Sequence, residues 1–374
     1  MLLVDKSAPV VFVATGITNI LLIKWADNSE AQCWDGATRN FQHPLVQTLF
    51  MLLGEVLCLV IYKISYAILW RKRDGSEDVN LLTAGGREFS LKIFVLPAVC
   101  DVLATSLLLS GIYLSFASST QMLRGTCIIF AGLYKVNFLN HTPKSYQWFG
   151  MLTITLGTVL ICVADVDNAR TLQMDAKGVL TGDLLVLCSQ IFQGLQLIYE
   201  EKYVKVLNIP ALQAVGWEGI FGLGFLTLLM IPLNFIKVGV PFGQNSRGVF
   251  EDTPDATYQL VKNPWILIAH LLFLFSVIVY NFARVTITKN ASAVNKIILN
   301  CLGVAVIWFL VLFMEWEQFH MVEFIGYLVL LSGVFIYRNV VFIQCYRWTM
   351  GRLSRRRYVD VEPETVTSQP ADAI

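Results

Sequence analysis

The sequence predicts an all-α fold: a polytopic membrane protein of ten transmembrane helices, arranged as two inverted five-helix repeats. Three observations carry this expectation. The 374 residues are 56% hydrophobic and 15% charged, with a mean hydropathy of +0.61, a balance foreign to soluble domains. The apolar residues gather into ten runs, each near the ~20 residues that cross a bilayer. One pattern also occurs twice, 176 residues apart: Gln147-Trp148-Phe149-Gly150-Met151-Leu152 with Gly157, and Glu323-Phe324-Ile325-Gly326-Tyr327-Leu328 with Gly333. The glycines of each copy lie two helical turns apart, on one face, where small residues let a membrane helix approach its neighbour.

In chain order the runs cover 8–25, 44–69, 93–114, 118–139, 146–164, 180–203, 212–236, 265–284, 292–314 and 322–343. The first follows Lys6 and ends in Lys24-Trp25-Ala26-Asp27 with no small-residue cleavage site, so it reads as a retained signal-anchor. Loop 71–92 is charged and contains glycine, the composition of a flexible linker. Loop 237–264 should lie on the opposite, luminal or extracellular side. The polar tail 344–374, with Pro363 and Pro370, should be disordered. The organisation expected is a first repeat over 1–170, containing the linker 71–92, a second over 175–343, and the tail.

Other segments mark the repeat. Pro44-Leu45-Val46-Gln47 opens span two and Pro210-Ala211-Leu212-Gln213 opens span seven. Ala117-Ser118-Ser119-Thr120-Gln121 opens span four and Ala291-Ser292-Ala293-Val294-Asn295 opens span nine. Five spans is an odd number, so the halves sit upside down relative to each other, the arrangement that supports alternating access.

Ten spans put both termini on one side. That side carries an excess of Lys and Arg, including Arg71, Lys72, Arg73, Lys202, Arg284 and a tail rich in arginine, so it should be cytoplasmic. The sequons at Asn140 and Asn290 then fall on the cytoplasmic side and should carry no glycan. Net charge is +1, which gives no field for nucleic acid. The eight cysteines lie mostly in apolar spans without a CxxC, which points to neither a disulfide framework nor a metal site. There is no GxSxG, HExxH or Walker loop, and Gly182-Asp183 has no Tyr-Asp partner, so neither an enzyme nor a bound cofactor is expected.

Charged groups inside a bilayer cost at least ~2.5 kcal/mol on insertion scales and usually face the bundle interior. Two cations inside the spans stand out, Arg124 in span four and Lys296 near the start of span nine. From opposite halves they could flank a midplane cavity and bind an anion, a task that suits the planar guanidinium. Alternatively Arg124 pins helices together by pairing with Asp101 or Glu55, and Lys296 snorkels to the interface. Glu55, Asp101 and Glu218 are the carboxylates available for proton coupling or an internal ion pair. Gln121, Asn295 and Tyr113, with Asn281 and Asn300, offer neutral hydrogen bonds to a substrate or between helices. His270 reads as a helix contact, and Glu200-Glu201-Lys202 as a solvated helix end.

The two-times-five layout, the paired glycines of spans five and ten, and the stretches Lys24-Trp25-Ala26-Asp27, Leu96-Pro97-Ala98-Val99-Cys100-Asp101, Gln121-Met122-Leu123-Arg124-Gly125 and Thr181-Gly182-Asp183-Leu184-Leu185 are similar to the drug/metabolite transporter superfamily. Within it the chain resembles solute carrier family 35, the nucleotide-sugar-transporter-like group, and its F subfamily. The resemblance implies a multi-pass endomembrane transporter with nucleotide-bearing anions as default cargo. It also implies cationic residues near the nucleotide phosphate in spans four and nine, where Arg124 and Lys296 match by place. The expected function is a secondary transporter of a nucleotide sugar or other phosphorylated anion. The alternatives are proton-coupled transport of a cationic or neutral metabolite, and a membrane scaffold without transport. Expected partners are the lipid bilayer, the small-molecule substrate, a second copy of the chain as a homodimer, and sorting adaptors. The adaptors would read Tyr358-Val359-Asp360-Val361, where Tyr358 and Val361 form a Tyr-x-x-apolar signal on the tail. With the resemblance, this favours the lysosomal membrane, with Golgi as runner-up.

Overall fold

The computed structural model describes residues 2–339 apart from 74, 76, 77, 79, 81, 141, 240, 241, 244, 246, 291, 292 and 316, and for 2–7, 288–290, 293–297 and 302 the backbone alone. The tail with Tyr358 and Val361 lies outside the described residues.

The chain is a helical bundle: α1 (Leu2–Asp27), α2 (Pro44–Lys72), α3 (Val95–Leu114), α4 (Ala117–Leu123), α5 (Cys127–Leu139), α6 (Ser145–Thr171), α7 (Ala176–Tyr203), α8 (Ala211–Leu233), α9 (Thr253–Lys262), α10 (Pro264–Asn290), α11 (Ala293–Phe313) and α12 (Met321–Tyr337). Short 3-10 turns precede α3, over Leu91–Phe94, and join α4 to α5, over Arg124–Thr126. Among the described residues each expected span overlaps a helix. Among the described residues eight helical stretches are long and apolar enough to cross a membrane, counting α4–α5 as one, while Ile298–Phe313 and Met321–Tyr337 are shorter apolar helices.

The glycine pattern does what its spacing predicts. On α6, Gly150, Ile154, Gly157 and Ile161 face inward and Leu152, Leu156, Val159 and Val163 face outward, each stripe stepping by three or four residues. The inward stripe packs on α12 so closely that backbones touch. A β-carbon on Gly157 would meet the Leu330 amide nitrogen at 2.5 Å, and one on Gly333 would meet that of Ile154 at 2.7 Å.

The four most extensive helix pairings are α6 with α12, α3 with α7, α1 with α10 and α2 with α8. Numbering the spans one to five in each expected half, these join five to five, three to one, one to three, and two to two. Exchanging the halves leaves the set unchanged.

Three features depart from expectation. Beside the helices of a mostly helical chain, Glu30–Gln32 and Thr38–Asn40 add one short two-stranded antiparallel hairpin, β1–β2, with Ala31 opposite Arg39. The loop after α8 contains the amphipathic helix α9, started by Asp252 as N-cap, whose side chain accepts from the Asp255 amide, with proline in the first turn. Hairpin, loop and α9 form a cap over one end of the bundle. Asp255 accepts from the Trp34 amide at 2.6 Å, Glu251 accepts from the Leu45 amide at 3.0 Å and lies 2.8 Å from His43 Nδ1, and Asn263 donates to the Glu30 carbonyl at 2.9 Å. Finally, part of the stretch read as a linker packs on the body. Leu82 and Phe89 join a core with Cys58, Leu59 and Phe94, Thr83 is fully buried, and the Gly86 amide donates to the Asn208 carbonyl at 2.9 Å.

Candidate functional site

The bundle interior holds a charged cluster built on Arg284 of α10. Its Nη1 pairs with Glu200 of α7, its Nη2 lies 3.3 Å from Glu218 Oε2 on α8, and its Nε donates to Asn281 Oδ1 at 2.8 Å. Asn281 in turn donates to Glu55 Oε1 on α2 at 2.9 Å, and Gln196 donates to Glu218 Oε2 at 3.4 Å. Asp101 of α3 is close enough to interact with Glu55, Glu218 and Arg284. All are buried: Glu55, Glu200 and Glu218 are 1% exposed, Arg284 4% and Asp101 7%. Four carboxyls thus surround one guanidinium. Glu55 Oε2, Glu200 Oε2 and Glu218 Oε1 find no hydrogen-bond donor among the described residues. Burying unmatched negative charge is costly, so such a site can take up protons or a cationic group.

Close packing positions these side chains. A β-carbon on Gly219 would meet the Glu55 Cβ at 2.6 Å, so α8 approaches α2 where both carry a carboxyl beside a glycine. Asn281 and Arg284 are three residues apart on α10, and Gln196 and Glu200 four apart on α7, so each pair shares a face.

Arg124 occupies a different place. Span four breaks there, the α-helix giving way to a 3-10 turn over Arg124–Thr126 before resuming at Cys127. Gly125 fits the break against α11 and α12; its β-carbon would meet Leu330 Cδ2 at 2.7 Å and Cys301 Sγ at 3.4 Å. The half-buried Arg124 donates from Nη1 to Gln121 Oε1 at 2.9 Å and forms no ion pair among the described residues. Gln121 is 1% exposed, and its Nε2 has no acceptor there. A guanidinium and a buried amide N–H therefore stand together as donors in search of an acceptor.

The structure joins some of the expected site residues and separates others. Arg124 and Gln121 meet, and Glu55, Asp101 and Glu218 form one cluster. The cation inside that cluster is Arg284, and among the described residues Arg124 forms no ion pair with Asp101 or Glu55, the alternative weighed for it. Tyr113, in the last turn of α3, lines a crevice at the capped end with Gln42, His43 and Ser110, away from the helix break. The side chains of Lys296 and Asn295 lie outside the described residues, although their backbone is part of α11. Glu200 is corrected: it is a buried ion-pair partner, not a solvated helix end. Arg284 was counted with the loop cations, but α10 continues to Asn290 and buries it. His270 is buried against Phe41 and Phe50, its Nδ1 2.7 Å from the Ile266 carbonyl of its own helix, and its Nε2 has no partner among the described residues.

No family model matches the chain. Curated proteins do. It is 38% identical over 351 residues to solute carrier family 35 member F6 of Homo sapiens, covering 94% of this chain and 91% of that one. The rat protein of the same name is also 38% identical, over 343 residues, with 91% and 89% covered. The chain belongs to solute carrier family 35, F subfamily. An uncharacterized protein of Schizosaccharomyces pombe is 26% identical over 336 residues, 89% of this chain and 97% of its own. Among solved structures, one protein crystal structure matches with a TM-score of 0.52 at 11% identity, covering 90% of this chain and 95% of that chain, a likeness of fold. This family 35 chain is thus a multi-pass membrane protein of a solute-carrier family.

Proposed function

We propose that the chain is a secondary transporter that moves a nucleotide sugar or other phosphorylated anion across an endomembrane by alternating access. The observation that carries this reading is Arg124 at the helix break, paired with no carboxylate among the described residues and set beside the donor-bearing Gln121. A 3-10 stretch within a helix often marks a functional hinge, and a guanidinium fits phosphate oxygens bidentately. Lys296, matched by place in span nine, would approach the same anion. The exchange-symmetric helix pairing supports two inverted five-span halves, 1–170 and 175–343, about a central site. We assign both termini to the cytoplasm and the chain to the lysosomal membrane, with Golgi the alternative, from the Lys/Arg asymmetry and the tail signal.

The four carboxyls around Arg284 favour a second reading, proton-coupled movement of a cationic or neutral metabolite with Glu55, Asp101 or Glu218 as the acid. One experiment separates the two: thermal unfolding of the purified protein with nucleotides, nucleotide sugars, organic cations and amino acids, in wild type, Arg124→Ala and Glu55→Gln. A ligand that binds the folded state raises the midpoint by mass action. A shift with a nucleotide species that vanishes in Arg124→Ala supports the anion. A shift confined to a cation or amino acid, and lost in Glu55→Gln, overturns it in favour of the second reading.

A further inference from the structure

A second acidic group lies toward the capped end, far from Arg284. Asp165 of α6 is 1% exposed and Asp183 of α7 is fully buried. Ser119 donates to Asp165 Oδ1 at 2.8 Å, and Ser115 donates to Asp183 Oδ1 at 2.5 Å. Each carboxyl has its second oxygen, Oδ2, buried with no donor among the described residues. The two carboxyls are close enough to interact directly. Asp183 stands seventeen residues before Glu200 on α7, about 25 Å away along the helix.

The surroundings supply acids and no paired cation. From α12, Glu323 accepts from the Ser118 hydroxyl at 2.9 Å. From the turn before α12, Glu317 accepts from the Ala117 amide at 2.6 Å and from the Ser118 hydroxyl. Cys162 lies one turn before Asp165 on α6. The α3 end contributes Ser115, and α4 contributes Ser118 and Ser119. His320 is turned to Asp167, 3.7 Å away. Among the described residues no Lys or Arg forms an ion pair with Asp165, Asp183 or Glu323.

Two carboxylates a few ångströms apart in a dry interior cannot both stay ionised; acid dyads resolve this by sharing a proton. We infer that Asp165 and Asp183 form a proton-binding site, with one proton shared between the two carboxyls. Binding leaves the pair with a single negative charge, which the Ser115 and Ser119 hydroxyls stabilise from the Oδ1 side. The site is independent of the cargo and of Arg124. It gives the Gly182-Asp183 stretch its carboxyl partner in Asp165.

Infrared spectroscopy of the full-length protein in lipid tests this, because the C=O stretch of a protonated carboxyl is separate from that of a carboxylate. Labelling the aspartate carboxyl carbons with a heavy isotope identifies aspartate without any substitution. The expected result at neutral pH is an isotope-sensitive protonated-aspartate band that is lost in Asp183→Asn and in Asp165→Asn and persists in Asp101→Asn. In each pair variant the amide N–H replaces the shared proton as donor, so the fold is retained. Absence of any protonated-aspartate band in wild type overturns the inference, as does a band unchanged in both pair variants. Loss of the band on replacing potassium by sodium at fixed pH also overturns it, in favour of a metal-cation site.

Discussion

Gly150 and Gly333 meet carbonyl to α-carbon: a β-carbon on either would lie 2.9 Å from the carbonyl oxygen of the other. The relationship is reciprocal, as two helices crossing about a local twofold require, and two turns along a β-carbon on Gly157 would lie 2.8 Å from the Gly326 carbonyl oxygen. Apolar burial drives no association within lipid, so close van der Waals packing of this kind carries the contact.

Enlarging that seam should be costly. Gly150→Leu and Gly157→Leu are each expected to destabilise the protein by about 1–3 kcal/mol, read as a lower unfolding midpoint in detergent. Gly224 of α8 has nothing within 4 Å of its added β-carbon. Gly224→Ala should therefore leave the midpoint unchanged or raise it, by up to about 1 kcal/mol. Equal losses at all three positions would refute the seam.

Removing the cation at the centre of the acid cluster should be worse than removing the ion pair. Arg284→Met strands Glu200 and Glu218 and should cost about 3–5 kcal/mol. Arg284→Met combined with Glu200→Gln should recover part of that loss. A double-mutant cycle on thermal or denaturant unfolding measures the coupling, and strict additivity would show that the pair is not formed.

How much of this was legible in the sequence depends on what hydropathy can see. Apolar runs marked every span, and the spacing of Gly150 and Gly157 marked the face of closest approach. Hydropathy also closes a span where a charge meets the end of an apolar run, which is why span eight was closed at Arg284 and span five at residue 164, one short of Asp165. Both helices run on, α10 to Asn290 and α6 to Thr171, and carry those charges inside. Glu200 was lost differently: it fell inside span six, but its neighbours Glu201 and Lys202 made the stretch read as a solvated end. The three-residue step from Asn281 to Arg284 and the four-residue step from Gln196 to Glu200 were the available signals. The cap helix was announced by Asp252-Thr253-Pro254-Asp255, an N-cap followed by proline, in a stretch too polar for a search tuned to spans.

The cap should carry a small acid sensitivity. Burial pushes the Asp252 carboxyl up, but the Arg247 guanidinium, at 2.6 and 2.8 Å, and the Asp255 amide outweigh it and hold it below the usual carboxylate range. A lowered folded value means that the stabilisation is complete above the unfolded carboxylate pKa, ~3.9, and is lost as pH falls through the folded value. Arg247 is 41% exposed, so the effect should be about 1 kcal/mol or less. Asp252→Asn keeps the N-cap and should flatten the acid limb of the stability–pH curve; an unchanged limb would assign the sensitivity elsewhere.

Orientation can be read from glycans. Asn140 ends α5 in a left-handed conformation, φ 51°, and with both termini cytoplasmic it should remain unmodified, like Asn290. Glycosidase treatment of the protein from mammalian cells is expected to leave its mobility unchanged. A shift that disappears in Asn140→Gln would invert the assignment.

The cap also dictates an order of events during synthesis. Its bonds join partners 208 and 221 residues apart, His43 with Glu251 and Trp34 with Asp255. The hairpin leaves the ribosome long before α9 exists, and contacts of such sequence separation form late. His43 and the hairpin edge therefore wait without their acidic partners while most of the remaining helices are inserted. Cap closure becomes a late inspection point of assembly, and a chain truncated before Glu251 would expose that end to the quality-control machinery even with its first helices correctly in place.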